Sequence, residues 1–125
     1  MILDTTAVSS LLGNEAGIEQ VVQRVDRPYL PVIVIGEFRY GLKQSLRRSM
    51  DEAAFQRLES GSHILPIDAA TALVYADIRD ELRRAGSPIP ANDLWIASLG
   101  RQHGLPVATR DAHFDLVSGL KRISW

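Results

Sequence analysis

The sequence predicts an α/β fold, with a central and mainly parallel β-sheet flanked by helices on both faces. Three observations predict it. Short apolar runs alternate with segments of helical spacing. Those runs are solidly apolar rather than alternating apolar with polar, as strands covered on both faces should be. No internal repeat, low-complexity tract or linker divides the chain, and 125 residues suffice to bury a layered core without staples, so we read residues 1–125 as one domain.

Met1–Asp4 reads as the first strand. Thr5–Leu12 follows with helical spacing, and after Gly13 a second helical segment runs over Ile18–Val25. Tyr29–Val34 is the second strand-like run, with helices expected over Glu37–Arg48 and Glu52–Leu58. His63–Ile67 is the third strand. In Ala69–Ala85, Val74, Ile78, Leu82 and Ala85 share one stripe, as on an amphipathic helix packed against a sheet; Asp68 is its expected N-cap and Gly86 its stop. The rigid Pro88-x-Pro90 approach leads to a helix over Asp93–His103. Pro106–Thr109 is the fourth strand, Ala112–Val117 a brief helix, and Leu120–Ser124 a weaker fifth strand.

Composition narrows the function classes. Apolar residues make up 46% and charged residues 23%, which places the chain among globular rather than disordered proteins. It has no cysteine, which excludes disulfides, thiolate zinc sites and cysteine nucleophiles and fits a reducing cytosol. MILDTTAV has neither a basic n-region nor an apolar h-region, and nowhere do 18 apolar residues run together. We therefore expect a cytoplasmic protein with no membrane partner. Fourteen basic and fifteen acidic side chains give a net charge of −1, so a nucleic-acid partner has to be argued from local charge.

Four acids carry the chemistry. Asp4 ends the first strand, Glu37 follows the second, Asp93 opens a helix beside Asn92, and Asp111 follows the fourth strand. In an open parallel sheet the carboxyl ends of the strands share one edge, and ligands bind in the crevice there. Each acid also has a plain structural role: Asp4, Asn92 and Asp111 suit helix caps, and Glu37 and Asp93 suit a first helical turn. Together they are costly, because two carboxylates 4 Å apart repel by ~1 kcal/mol in water and ~4 kcal/mol at an effective dielectric near 20. A divalent cation reverses that sign, and an all-oxygen ligand set selects Mg²⁺ or Mn²⁺.

Gly41 lies one turn beyond Glu37 and leaves that face open to close approach or to tight helix packing. Arg39, Lys43 and Arg47 recur at i, i+4 and i+8, a basic stripe that is either a solvated face or a set of contacts to phosphates flanking a scissile bond. Arg110, next to Asp111, is a further candidate phosphate contact. Asp115, a turn beyond Asp111, is expected to support the site at most from outside the ligand set. His63, His103 and His113 show no zinc-ligand spacing and are expected in core or surface roles; Trp95 is expected in the core or on a dimer surface, and Trp125 as a terminal anchor.

In order along the chain, ILDTTAVSSLL, PVIVIGEFRYGL, ILPIDAATALVYADIRDELRRAG, PIPANDLWIASLGRQHG and PVATRDAHFDLV resemble the PIN-domain ribonucleases of the VapC toxin type. The pieces cover essentially the whole chain, the least familiar part lying between Gly13 and Pro28. The resemblance implies a single PIN-like domain that hydrolyses RNA phosphodiester bonds with Mg²⁺ or Mn²⁺. It implies Asp4 and Asp93 as principal metal ligands, Asp111 as ligand or support, and Glu37 as ligand or general base. Thr5 and Thr109 match hydroxyl positions beside the first and last acids, and Asn92 matches the polar residue before the third. Thr6 departs from the Asn or Ser frequent in the family. The implied partners are an RNA substrate, a VapB-like antitoxin whose tail brings an Arg toward the acids, and a second copy in a homodimer.

Other readings fit less well. A receiver domain needs a phospho-accepting Asp after a middle strand and a late Lys near a strand end, whereas this chain offers Ile67-Asp68 and a distant Lys121. A haloacid-dehalogenase-type phosphatase needs Asp-x-Asp where Asp4-Thr5-Thr6 stands. The alternatives within the resemblance are a non-toxin PIN nuclease of RNA processing and a catalytically silent scaffold that binds RNA or protein.

Overall fold

Five short strands, β1 (Ile2–Leu3), β2 (Tyr29–Pro31), β3 (His63–Leu65), β4 (Val107–Ala108) and β5 (Arg122–Ile123), form one sheet in a computed structural model that describes all of residues 1–125. Their order is β3-β2-β1-β4-β5 and every pairing is parallel. Ile2 lies opposite Tyr29 on one side and Val107 on the other, so β1 is the central strand. Ile2, Leu3, Leu30, Val107 and Ala108 are all fully buried, as solidly apolar strands in a covered sheet must be.

The chain moves outward from β1 through β2 to β3, then returns across the sheet to β4 and β5. That reversal makes the carboxyl ends of β1 and β4 a topological switch point. With right-handed crossovers, the two directions of travel put their helices on opposite faces. Helices α1 (Thr5–Leu12), α2 (Ile18–Val22), α3 (Val32–Leu42) and α4 (Arg48–Ser60) belong to the outward journey, and α1 packs on each of the other three. Helices α5 (Ala69–Arg84) and α6 (Ala91–His103) belong to the return and pack on each other. A 3-10 helix, Ala112–Leu116, follows β4.

The second strand differs from the expected Tyr29–Val34. It stops at Pro31, and Val32 begins α3, with Pro31 as N-cap at φ −64° and ψ 145°. The β-branched run Val32-Ile33-Val34-Ile35 suggests a strand, yet Val34 is fully buried and Ile33 and Ile35 pack against the core from a helix. Burial outweighs β-propensity here, and a short apolar run carries no period that separates the two states. Glu37 therefore sits in the second turn of α3 rather than at its start. Helix α3 also ends at Leu42, so Arg39, Lys43 and Arg47 do not form one stripe: Lys43 is its C-cap, and Arg47 precedes α4.

The return helices end where their sequence says. Asp68 accepts from the Thr71 amide while the Thr71 hydroxyl accepts from the Asp68 amide, a reciprocal cap on α5. Gly104, at φ 63°, stops α6 in the left-handed region. Asn92 is not the cap of α6, because the helix already begins at Ala91. That frees the Asn92 amide for another partner.

Candidate active site

Asp4 leaves β1 directly over the switch point and caps α1. Its Oδ1 accepts from the Ala7 amide at 2.8 Å and from the Thr6 hydroxyl at 2.8 Å. It is only 4% exposed, and that burial raises its carboxyl above the usual aspartate value. Hydrogen bonds from Thr109, Ala7 and Thr6 pull it back down, while Asp111 adds repulsion.

Beside it, β4 runs into Thr109, fully buried, whose hydroxyl accepts from the Asp111 amide at 2.9 Å. Asp111 caps the 3-10 helix through the His113 amide. That helix is anchored by Phe114, fully buried, a contact worth roughly 1.5–3 kcal/mol. The anchor fixes where Asp111 and His113 point. Thr6 ties the two strand ends together: its hydroxyl lies 3.4 Å from that of Thr109 and accepts from the Arg110 amide. The departure of Thr6 from the family pattern thus leaves a polar hub in place.

Asp93 approaches from the first turn of α6. Its carboxyl is also raised, first by burial, then by Asp111, with Asp4 adding to the repulsion and His113 opposing it. Asp93, Asp111 and His113 offer ligand atoms that all lie within 4.8 Å of one another. The His113 Nδ1 stands 3.0 Å from Asp111 Oδ1 and 3.4 Å from Asp93 Oδ2. Sequence spacing had placed His113 in a core or surface role. The signal that finds it is its position two residues after Asp111, in the first turn of the 3-10 helix that Asp111 caps.

Glu37 comes from the opposite layer. Its Oε2 accepts from the Thr5 hydroxyl at 2.7 Å and its Oε1 from the Asn92 side-chain amide at 2.6 Å. Thr5 follows Asp4 and Asn92 precedes Asp93, so two hydrogen bonds moor Glu37 to the immediate neighbours of two other acids. A groove of about 280 Å³ opens beside it, lined by Thr5, Ser9, Glu37, Gly41 and Ser45 among others. A side chain added at Gly41 would meet nothing within 4 Å, so the glycine serves an open face rather than tight packing.

Two of the three basic candidates are engaged elsewhere. Arg39 pairs with Glu59 and lies over the Phe55 ring, 5.6 Å from its centre. Arg110 pairs with Glu15 and lies over the Trp125 ring at 4.9 Å. Lys43 is exposed at the end of α3. Asp115 is held by Arg122 through two bonds of 2.8 Å, which turn it toward β5. Trp95 is half-buried and stacked on Tyr75, with ring centres 4.0 Å apart.

The donor set fits a divalent cation. Burial first and the Asp111 charge second raise the carboxyls of buried Asp4 and half-buried Asp93, with Asp4 adding to the repulsion at Asp93, and an ion that neutralises them removes that cost. Carboxylate oxygens are the donors Mg²⁺ and Mn²⁺ take.

A parallel sheet with acids gathered at its switch point defines a class, and a PIN domain family model matches residues 1–120. The chain belongs to the PIN-domain family. Within it, the chain is similar to VapC-type toxins of toxin–antitoxin pairs. It is 34% identical over 122 residues to Toxin FitB of Neisseria gonorrhoeae, covering 89% of this chain and 87% of that protein. It is 31% identical over 122 residues to Ribonuclease VapC5 of Mycobacterium tuberculosis, covering 94% and 87%. Among solved structures, DNA-bound VapBC from Salmonella typhimurium matches with a TM-score of 0.89 at 26% identity, covering 99% of this chain and 96% of that one.

Proposed function

We propose that residues 1–125 form one PIN domain acting as a divalent-metal-dependent endoribonuclease, the toxin of a VapBC-type pair. The observation that carries this reading is the pair Asp93 and Asp111, with ligand atoms within 4.8 Å of each other beside buried Asp4, at a cost in repulsion that folding alone does not require. Similarity to FitB and VapC5 supports the toxin and ribonuclease parts.

Asp4, Asp93 and Asp111 would hold Mg²⁺ or Mn²⁺, with Thr109 and Thr6 fixing the first and last of them. Such an ion makes water more acidic and neutralises charge building on the scissile phosphate. Glu37 is held by Thr5 and Asn92 with lone pairs to spare, since a carboxylate accepts about four hydrogen bonds. In this reading it accepts the proton of the attacking water as the new P–O bond forms and the old one breaks. The leaving oxygen takes a proton from solvent. The open groove beside Glu37 and Gly41 would admit the RNA backbone.

An unneutralised acid cluster also suits inhibition by a cognate VapB-like antitoxin whose Arg enters it, and the resemblance to VapC-type toxins implies a homodimer in the cytoplasm. No helix is long and apolar enough to cross a membrane. Expression of the chain alone should arrest bacterial growth, and Asp4→Asn should relieve the arrest. Asn is the substitution to use: Asp4 is a buried cap, and Asp4→Ala would cost the fold about 1 kcal/mol as well as the site. Sustained growth with the active chain highly expressed and no antitoxin present would rule out the toxin assignment.

A further inference from the structure

His113 holds a position that the four-acid reading does not use. Its Nδ1 lies 3.0 and 3.2 Å from the two oxygens of Asp111 and 3.4 Å from Asp93 Oδ2. A neutral or charged imidazole carries at most one hydrogen on Nδ1, and one hydrogen cannot serve three oxygens on two side chains. Spacings of this size have another reading. Adjacent ligands of an octahedral ion at about 2.1 Å stand about 3 Å apart. Nδ1 and the nearest oxygens of Asp111 and Asp93 are therefore spaced as neighbouring ligands of one cation.

The backbone supports that placement. Asp111 caps the 3-10 helix through the His113 amide at 2.9 Å, and the next residue, Phe114, is locked in the core. The imidazole is thus carried on a short, doubly anchored segment. Its side chain is 46% exposed, which leaves it room to turn a few tenths of an ångström onto an ion.

We propose that His113 Nδ1 is a ligand of the bound divalent cation beside Asp93 and Asp111, and that this nitrogen makes the site favour Mn²⁺ over Mg²⁺. The inference rests on the metal-dependent reading above. Mg²⁺ takes oxygen and water and gains little from imidazole, whereas Mn²⁺, though the weakest binder of the first-row series, keeps the oxygen preference and adds a transition metal's tolerance of a nitrogen ligand.

The test uses the full-length chain with Mn²⁺ or Mg²⁺ alone. Pulsed electron paramagnetic resonance of bound Mn²⁺ should show ¹⁴N modulation in the wild type, lose it in His113→Asn, and keep it in His103→Asn, a control at an exposed histidine on the end of α6. Calorimetry should show Mn²⁺ affinity falling by about tenfold or more in His113→Asn while Mg²⁺ affinity changes by less than about threefold. Circular dichroism checks that the variants fold. Mn²⁺ bound without nitrogen modulation, or equal losses for both ions, would overturn the role of His113 and leave the nuclease reading standing. Failure of the wild type to bind either ion would sink both.

Discussion

Asp93 sits at 21% side-chain exposure among like charges, and its raised carboxyl is a statement about stability as well as chemistry. A carboxyl whose folded pKa lies above its unfolded value of about 3.9 binds protons more tightly in the native state. Stability therefore falls as pH rises from the unfolded value through the folded one, and the full penalty is present above it. The metal-free protein should carry that penalty at pH 7. Asp93→Asn removes the charge and keeps the shape, so in chelator it should melt above the wild type at pH 7. The gap should close as pH falls toward about 4. Melting below the wild type at pH 7 would mean that Asp93 serves the first turn of α6 more than it burdens the site.

At the scale of elements, α6 shows why the site acids are held firmly. Gly100 lies on the buried face of that helix, and a side chain there would meet Leu120 Cδ1 at 2.5 Å, the Leu105 carbonyl oxygen at 3.2 Å and Val107 Cγ2 at 3.2 Å. The helix that carries Asp93 thus packs backbone-close on the strand that leads to Asp111. Gly100→Ala gains about 1 kcal/mol of helix propensity but must push against a backbone oxygen and β4, a strain of about 1–3 kcal/mol. We expect a net lower melting temperature, and a rise would show that Leu120 and β4 yield freely. This close approach is hard to read from SLGRQHG, because a helical glycine looks the same whether it packs or merely weakens the helix. Helix α3 was misread for a related reason. Val32-Ile33-Val34-Ile35 has no polar residue to mark a period, and only the depth of the core behind Pro31 decides that it coils. By contrast Asp68 and Gly86 marked the bounds of α5 because a cap and a left-handed stop are local chemistry, Gly86 having φ 68°. The site divides the same way. Asp4 and Asp111 were placed by strand ends, whereas the contact of His113 with Asp93, twenty residues upstream, depends on how α6 meets the 3-10 helix.

At the scale of the molecule, the acids come from both layers and from both halves of the chain. Asp4 and Glu37 arrive from the outward journey, Asp93 and Asp111 from the return, and the Glu37–Asn92 hydrogen bond spans the sheet edge between them while Thr5 holds Glu37 on the outward side. An ion held there clasps segments that only the complete fold brings together, so its binding should stabilise the whole structure rather than one end. At a free ion concentration near 100 times Kd the gain is about 2.7 kcal/mol, or a rise of roughly 10 °C in Tm for a domain of this size. Asp111→Asn should lose most of that rise and slow RNA cleavage by roughly tenfold or more, about 1.4 kcal/mol of transition-state stabilisation. Asp115→Asn should keep the metal-dependent rise and most of the cleavage rate, because its partner is Arg122 and its loss loosens β5 instead. Melts with and without Mn²⁺, paired with cleavage rates on one RNA at matched ion concentration, read both effects. An Asp115→Asn variant that loses the metal-dependent rise as fully as Asp111→Asn would place the ion on the other side of the 3-10 helix.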